Sequence, residues 1–177
     1  MRVQKWPTIG FVLAMMLVAF IILSTRYYEV DLPVLHFFGI GTGPDPATLH
    51  VSGEFVESNL GLAQEASGSL TERMIAQQYV FVPQCVVFPA GVPVHFRITS
   101  ADVVHWLSFT GTNYAIKAMP GVVTEGTLTF ATAGAYPMPC HEFCGPGHFA
   151  MRSHLEVVPE NQFSSLRPGE RRTCETQ

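Results

Sequence analysis

At 177 residues and a formal net charge of −4, the chain has room for one domain and a short appendage. Its acidic balance excludes a nucleic-acid surface, which needs clustered cations. Four cysteines in a chain of this length do not make a disulfide framework.

The first element, over residues 8–25, is uncharged and consists mostly of Ile, Leu, Val, Met, Ala and Phe. As a helix it would span roughly 27 Å, close to a hydrocarbon core of ~30 Å. Trp6 precedes it and Tyr27 and Tyr28 follow it, where interfacial aromatics belong. The alternative is a cleaved signal peptide, but no small-residue site follows the run and Arg26-Tyr-Tyr is a poor cleavage context. Residues 1–28 are therefore expected to form an uncleaved single-pass anchor. Arg2 and Lys5 precede it, which leaves the amino terminus in the cytoplasm and the remainder outside. All fourteen acids follow the anchor, against seven basic residues from Arg73 onward, so the outer part stands at about −7 and points to a cationic partner. The alternative is ordinary solubility.

Residues 29–71 read as a linker and a first strand. The stretch 30–47 is rich in Pro and Gly, 49–57 alternates weakly and predicts a first strand, and 59–71 reads as a Gly-, Ser- and Ala-rich loop. Residues 72–159 change character. Short β-branched or aromatic runs at 73–81, 86–88, 92–99, 123–130, 134–139 and 152–158, bounded by Pro or Gly, predict an all-β sandwich or barrel. Cys85 reads as a small buried apolar residue. Residues 160–177 form a polar tail in which Cys174 is expected as a loose thiol.

Most of the chemistry lies in Cys140-His-Glu-Phe-Cys-Gly-Pro-Gly-His-Phe-Ala-Met151. Cys140, Cys144, His148 and Met151 set two thiolates, an imidazole and a thioether in one loop, and soft ligands of this kind select copper. A mononuclear blue-copper site needs only one thiolate, so the second predicts a dinuclear, electron-carrying centre. Structural zinc is an alternative, though it has no use for Met151. A Cys140–Cys144 disulfide is another, since exported chains favour that bond. The x3 spacing excludes a haem attachment motif.

A second imidazole must come from elsewhere, the candidates being His36, His50, His95, His105, His141 and His154. His95 and His154 sit at outward-looking strand positions, and His141 points away from a metal held by Cys140. His105, just past the strand 94–100 and flanked by apolar residues, is the expected ligand.

With these parts in place the chain resembles subunit II of cytochrome c oxidases, and looks most like the short, single-anchor subunits of the ba3-like branch. The resemblance covers residues 74–158 and rests on Ile98-Thr-Ser-Ala-Asp-Val-Val-His105, Met119-Pro-Gly121 and Cys140-x-Glu-x-Cys-Gly-x-Gly-His-x-x-Met151. It implies a cupredoxin-like Greek-key barrel with a dinuclear copper centre, CuA, bridged by Cys140 and Cys144. His148 and the Glu142 carbonyl would cap one copper, and His105 and Met151 the other. The Glu142 carboxylate would also meet magnesium at the boundary with subunit I. The implied function is electron input to a haem-copper terminal oxidase in the inner membrane, from a cytochrome c donor to the haem of subunit I, with the copper domain periplasmic.

The segment Ala76-Gln-Gln-Tyr-Val-Phe81 departs from relatives in having no Trp. Trp106, with Pro146 and Phe149, is the alternative candidate for the donor-docking face; simple packing is the other reading of Trp106. A copper subunit of a related nitric oxide reductase and a membrane-tethered copper carrier remain open.

Overall fold

The structure is a computed structural model that describes residues 6–28 and 43–174. Most of the expected linker, with His36, lies outside the described residues. The chain divides into two compact units, 1–41 and 42–177.

In the first unit, helix α1 (Trp6–Tyr28) carries apolar side chains from Ile9 to Leu23 that are solvent-exposed in this chain. Among the described residues, whose side chains in this helix run over 8–24, no helix is long and apolar enough to cross a membrane.

The second unit is built from β1 (Gly61–Gln64), β2 (Leu70–Gln77), β3 (Val80–Val82), β4 (Cys85–Pro89), β5 (Val94–Ser100), β6 (His105–Ser108), β7 (Ala115–Ala118), β8 (Thr124–Leu128), β9 (Gly134–Pro139) and β10 (Arg152–Val158). One sheet runs β1-β2-β5-β8 with β3 also on β2, a second runs β4-β10-β9, and β6 and β7 form a hairpin. Parallel pairing of β2 with β5 and of β4 with β10 requires crossovers, so this is a mixed sandwich and not a simple meander.

Alternation along the strands directs Met74, Phe96, Ile98 and Leu155 between the sheets. Phe88, Phe96, Phe109 and Phe130 follow one another edge-on or tilted at 5.4–6.5 Å, the separations aromatic pairs prefer.

Three sequence-based boundaries shift. Residues 49–57 form turns and not a strand, because Leu49, Phe55 and Leu60 gather on Ile75 and cover the outer face of β2. The first strand is β1, inside the segment read as a loop, where Leu62 and Ala63 are buried. The run 73–81 breaks at Gln78 and Tyr79 into β2 and β3, and the hairpin β6–β7 was not anticipated.

The cysteine assignments outside the loop also change. Cys174 is not a loose thiol and Cys85 is not merely apolar filling, since the two are joined in a disulfide with Cα atoms 5.5 Å apart. Local pattern could not reveal this, because the tail is brought there by pairing with a distant strand. Leu62 and Arg172 exchange backbone hydrogen bonds at 2.8 and 3.0 Å, Leu166 is buried, and the tail thereby closes the sandwich edge between β1 and β4.

Candidate metal centre

Strand β9 ends at Pro139 and delivers Cys140 to the end of the sandwich. The loop returns through a turn of 3-10 helix, His148–Ala150, to Met151 at the start of β10. Its base is closed by the Cys140 N–H on the Met151 carbonyl at 3.1 Å. The His141 N–H donates to the Trp106 carbonyl at 2.8 Å, and Leu107 bridges to Cys140, so the loop lies alongside β6. That contact brings in His105.

Cys140 and Cys144 are free and buried. The Nδ1 of His105 lies 3.9 Å from Cys140 Sγ, and the Nδ1 of His148 lies 3.6 Å from Cys144 Sγ. Met151 Sδ stands 3.6 Å from Cys144 Sγ, and Cys140 Sγ is 3.3 Å from the Glu142 carbonyl. His105, Cys140 and Cys144 present ligand atoms within 4.8 Å of one another. Burial, reinforced by the neighbouring Cys140, pushes the Cys144 thiol up to about 11. Such a thiol yields its proton near neutral pH when a cation replaces it, so the pair fits a metal bound through thiolate.

His105 is fully buried, and its other nitrogen, Nε2, is 2.8 Å from Asp102 Oδ1. The N–H groups of Gln78 and Val103 donate to the same carboxylate at 2.6 Å. Burial alone would raise the Asp102 pKa, but His105 and the two N–H groups outweigh it and hold it below the usual value. A carboxylate on Nε2 fixes the tautomer and leaves Nδ1 as a lone pair toward the sulfurs.

The other described histidines fall elsewhere. His95 lies 3.4 Å from Glu125, His50 bonds Gln77, His141 is exposed, and the exposed His154 stands beside the disulfide. Trp106, Pro146 and Phe149 are exposed around the loop, Phe149 at 85%. Phe143, which sequence reasoning passed over, is 73% exposed, and it and Phe149 flank the His148 ring at 5.8 and 5.3 Å. Lys117 lies over the Trp106 ring at 4.9 Å and 3.7 Å from the Glu142 carboxylate.

Asp102, Gln78 and Tyr79 were also missed. The signals for them were an Asp three residues before a ligand histidine, and two glycines in the loop that allow another group to approach its backbone closely.

A β-sandwich carrying two buried thiols, two imidazoles and a thioether at one end defines a cupredoxin-like, copper-binding domain. The family model described as the periplasmic domain of cytochrome c oxidase subunit II matches residues 66–158. A cytochrome c oxidase subunit 2 of Thermus thermophilus is 31% identical over 113 residues, covering 64% of this chain and 84% of that protein. A chain of a haem-copper terminal oxidase dimer solved by cryo-electron microscopy has a TM-score of 0.50 and 25% identity, over 87% of this chain and 97% of its own. The chain belongs to the cytochrome c oxidase subunit II family. It is thus an electron-input subunit of an oxidoreductase complex, and its copper domain is extracytoplasmic.

Proposed function

We propose that the loop and His105 hold two copper ions, with Cys140 and Cys144 bridging both. His148 and the Glu142 carbonyl complete one coordination sphere, and His105 and Met151 the other. The observation that carries this reading is the pair of free, buried thiols, each with an imidazole Nδ1 turned toward it at 3.9 or 3.6 Å. A single copper would need only one thiolate, leaving the second buried thiol without a purpose. When bound, the copper pair supplies a one-electron relay between a reduced cytochrome c and the haem of subunit I.

The chain's own residues do the rest. Asp102 orients His105, the buried apolar residues around the sulfurs exclude water, and the exposed Trp106, Pro146, Phe149 and Phe143 offer the donor an apolar contact. The Glu142 carboxylate would join a magnesium site against subunit I by exchanging its contact with Lys117, 3.7 Å away. The uncharged run over residues 8–25 supports a retained anchor with a cytoplasmic amino terminus. The Cys85–Cys174 disulfide supports an oxidising, outer compartment for the copper domain.

The test is metal analysis with electron paramagnetic resonance on the copper-loaded full chain. Two coppers sharing one unpaired electron are expected. One zinc, or one copper with a blue-copper spectrum, overturns the reading. Met151→Leu removes only a weak axial contact, so both coppers should stay while the reduction potential shifts.

A further inference from the structure

The turn joining β2 to β3 touches every segment that carries a ligand. The Gln78 N–H donates to Asp102 Oδ2 at 2.6 Å, and the other oxygen of Asp102 holds His105. The side-chain amide of Gln78 donates to the carbonyl of Cys144. Tyr79 lies against the two glycines of the loop: a Cβ at Gly145 would stand 2.6 Å from Tyr79 Oη, and one at Gly147 would stand 2.5 Å from the ring. Gly145 has a φ of +129°, which favours glycine for its backbone. Gly147 has a φ of −85°, open to any residue, so its missing side chain serves space alone. Tyr79 is 37% exposed and therefore contributes little to the core.

His105 precedes Cys140 by 35 residues, so no short stretch of chain sets their separation. On one side the Leu107 bridge to Cys140 fixes it. The His141 N–H on the Trp106 carbonyl holds the same side, whereas from Cys144 to Ala150 the backbone bonds are local, His148 N–H to Gly145 carbonyl and Ala150 N–H to Gly147 carbonyl, and leave the Cys144–His148 side to be held by something else.

We propose that Gln78 and Tyr79 are positioning residues that clamp the Cys144–His148 loop against the His105 side of the centre. Gln78 fixes the Cys144 carbonyl and, through Asp102, the His105 ring. Tyr79 sets how closely Gly145 and Gly147 approach the sheet. The spectroscopic part of the test rests on the dinuclear copper reading; the thiol part does not.

The experiment compares full-chain wild type with Gly147→Ala, Gln78→Leu, Tyr79→Phe, Tyr79→Ala and the double variant Gly147→Ala/Tyr79→Ala, each loaded with copper. Gly147→Ala and Gln78→Leu should lose copper roughly 10-fold more readily, alter the paramagnetic resonance pattern and shift the reduction potential. Tyr79→Phe keeps the ring and should match wild type. In the double variant the overlap is relieved, so adding Gly147→Ala to Tyr79→Ala should change little.

In the metal-free full chain, Gln78→Leu and Tyr79→Ala should raise the rate at which Cys144 reacts with a small aromatic disulfide reagent. Tyr79→Ala only removes atoms and Gln78→Leu exchanges the amide for an apolar group of similar bulk, so they serve even if Gly147→Ala fails to fold. Wild-type spectra and thiol reactivity in both Gln78→Leu and Tyr79→Ala overturn the clamp. So does a Gly147→Ala effect that is equally large without Tyr79. A wild type lacking a shared-electron signal instead sinks the copper pair, and the thiol rates then decide the clamp alone.

Discussion

Cys85 and Cys174 lie 89 residues apart and are joined, whereas Cys140 and Cys144 stand close in one loop as free, buried thiols. Both pairs belong to one domain, so compartment alone does not set their states. Neighbours do. The first pair has a partner sulfur within bonding reach because Arg172 pairs with Leu62 and carries the tail to the start of β4. In the second pair each sulfur meets an imidazole, and a thioether lies beside Cys144. Burial and Cys140 push the Cys144 thiol up to about 11, which keeps little of it as the thiolate that attacks disulfides. One pair closes the sandwich edge, and the other stays open to a cation.

The most damaging test of this contrast is Cys144→Ser. On the proposed dinuclear reading it takes away one of the two bridging thiolates and should abolish the copper pair and electron transfer through the chain, while the Cys85–Cys174 bond and the fold persist. Metal analysis, mass mapping of the disulfide and circular dichroism check the three points. A variant that retains two coppers breaks the contrast.

The converse is Cys174→Ser. Opening a loop of 89 residues should cost about 2–4 kcal/mol in denaturant unfolding while leaving the copper spectrum unchanged. A much smaller cost would mean that the Leu62–Arg172 pairing and the Arg172 guanidinium over Phe163, at 4.8 Å, hold the tail unaided.

The two pairs also differ in how far the sequence revealed them. Cys140, Cys144, His148 and Met151 are neighbours in the chain, and their spacing is itself the chemistry. The disulfide depends on β1, whose Gly61-Leu-Ala-Gln64 reads as loop, and on a tail whose composition reads as solvated. His105 was legible from its apolar flanks, but Asp102, Gln78 and Tyr79 were not. Their roles arise only when the β2–β3 turn, the chain before β6 and the copper loop converge. Strands β4, β5, β8, β9 and β10 were legible because each lies in a short run with β-branched or aromatic residues, bounded by Pro or Gly. The hairpin β6–β7 was hidden because each of its strands has only four residues.

A smaller effect sharpens the structural side of the contrast. Glu72 pairs across β1–β2 with Leu62, the residue that also holds the tail. It is fully buried on the face of β2 shared with Leu70 and Met74, and neither carboxylate oxygen has a hydrogen-bond partner among the described residues. Burial raises its pKa well above the ordinary value, and the adjacent Arg73 only partly opposes this. The unfolded chain loses this proton near pH ~4.3, whereas the folded chain keeps it to higher pH. Between those points the folded state binds more protons, so stability falls as pH rises. Glu72→Leu should therefore gain stability on wild type between pH ~4 and neutral pH, the gap widening as pH rises. Paired unfolding curves at the two pH values are the check; a constant gap would mean that Glu72 is not a buried neutral acid.

The smallest expected effect concerns salt, and it separates the copper end from the rest of the acidic surface. The charge surplus suggested steering of a basic donor, but the charges around the copper loop nearly cancel. Glu142 is matched by Lys117 at 3.7 Å, Asp102 is engaged by His105, and Arg152 borders the loop next to Met151. Acids elsewhere are partly spent on arginines: Glu54 and Glu125 on Arg97, and Glu170 on Arg172. Screening acts over a Debye length of ~8–10 Å, so charges beyond the docking patch contribute little at physiological ionic strength. Electron transfer from a reduced cytochrome c should thus change little as salt rises. Trp106→Ala should slow it and leave the copper spectrum intact, because the ring is 40% exposed beside a ligand it does not replace. A steep fall with salt would return the donor to the acidic faces of the sandwich and reduce Trp106 to packing beneath Lys117.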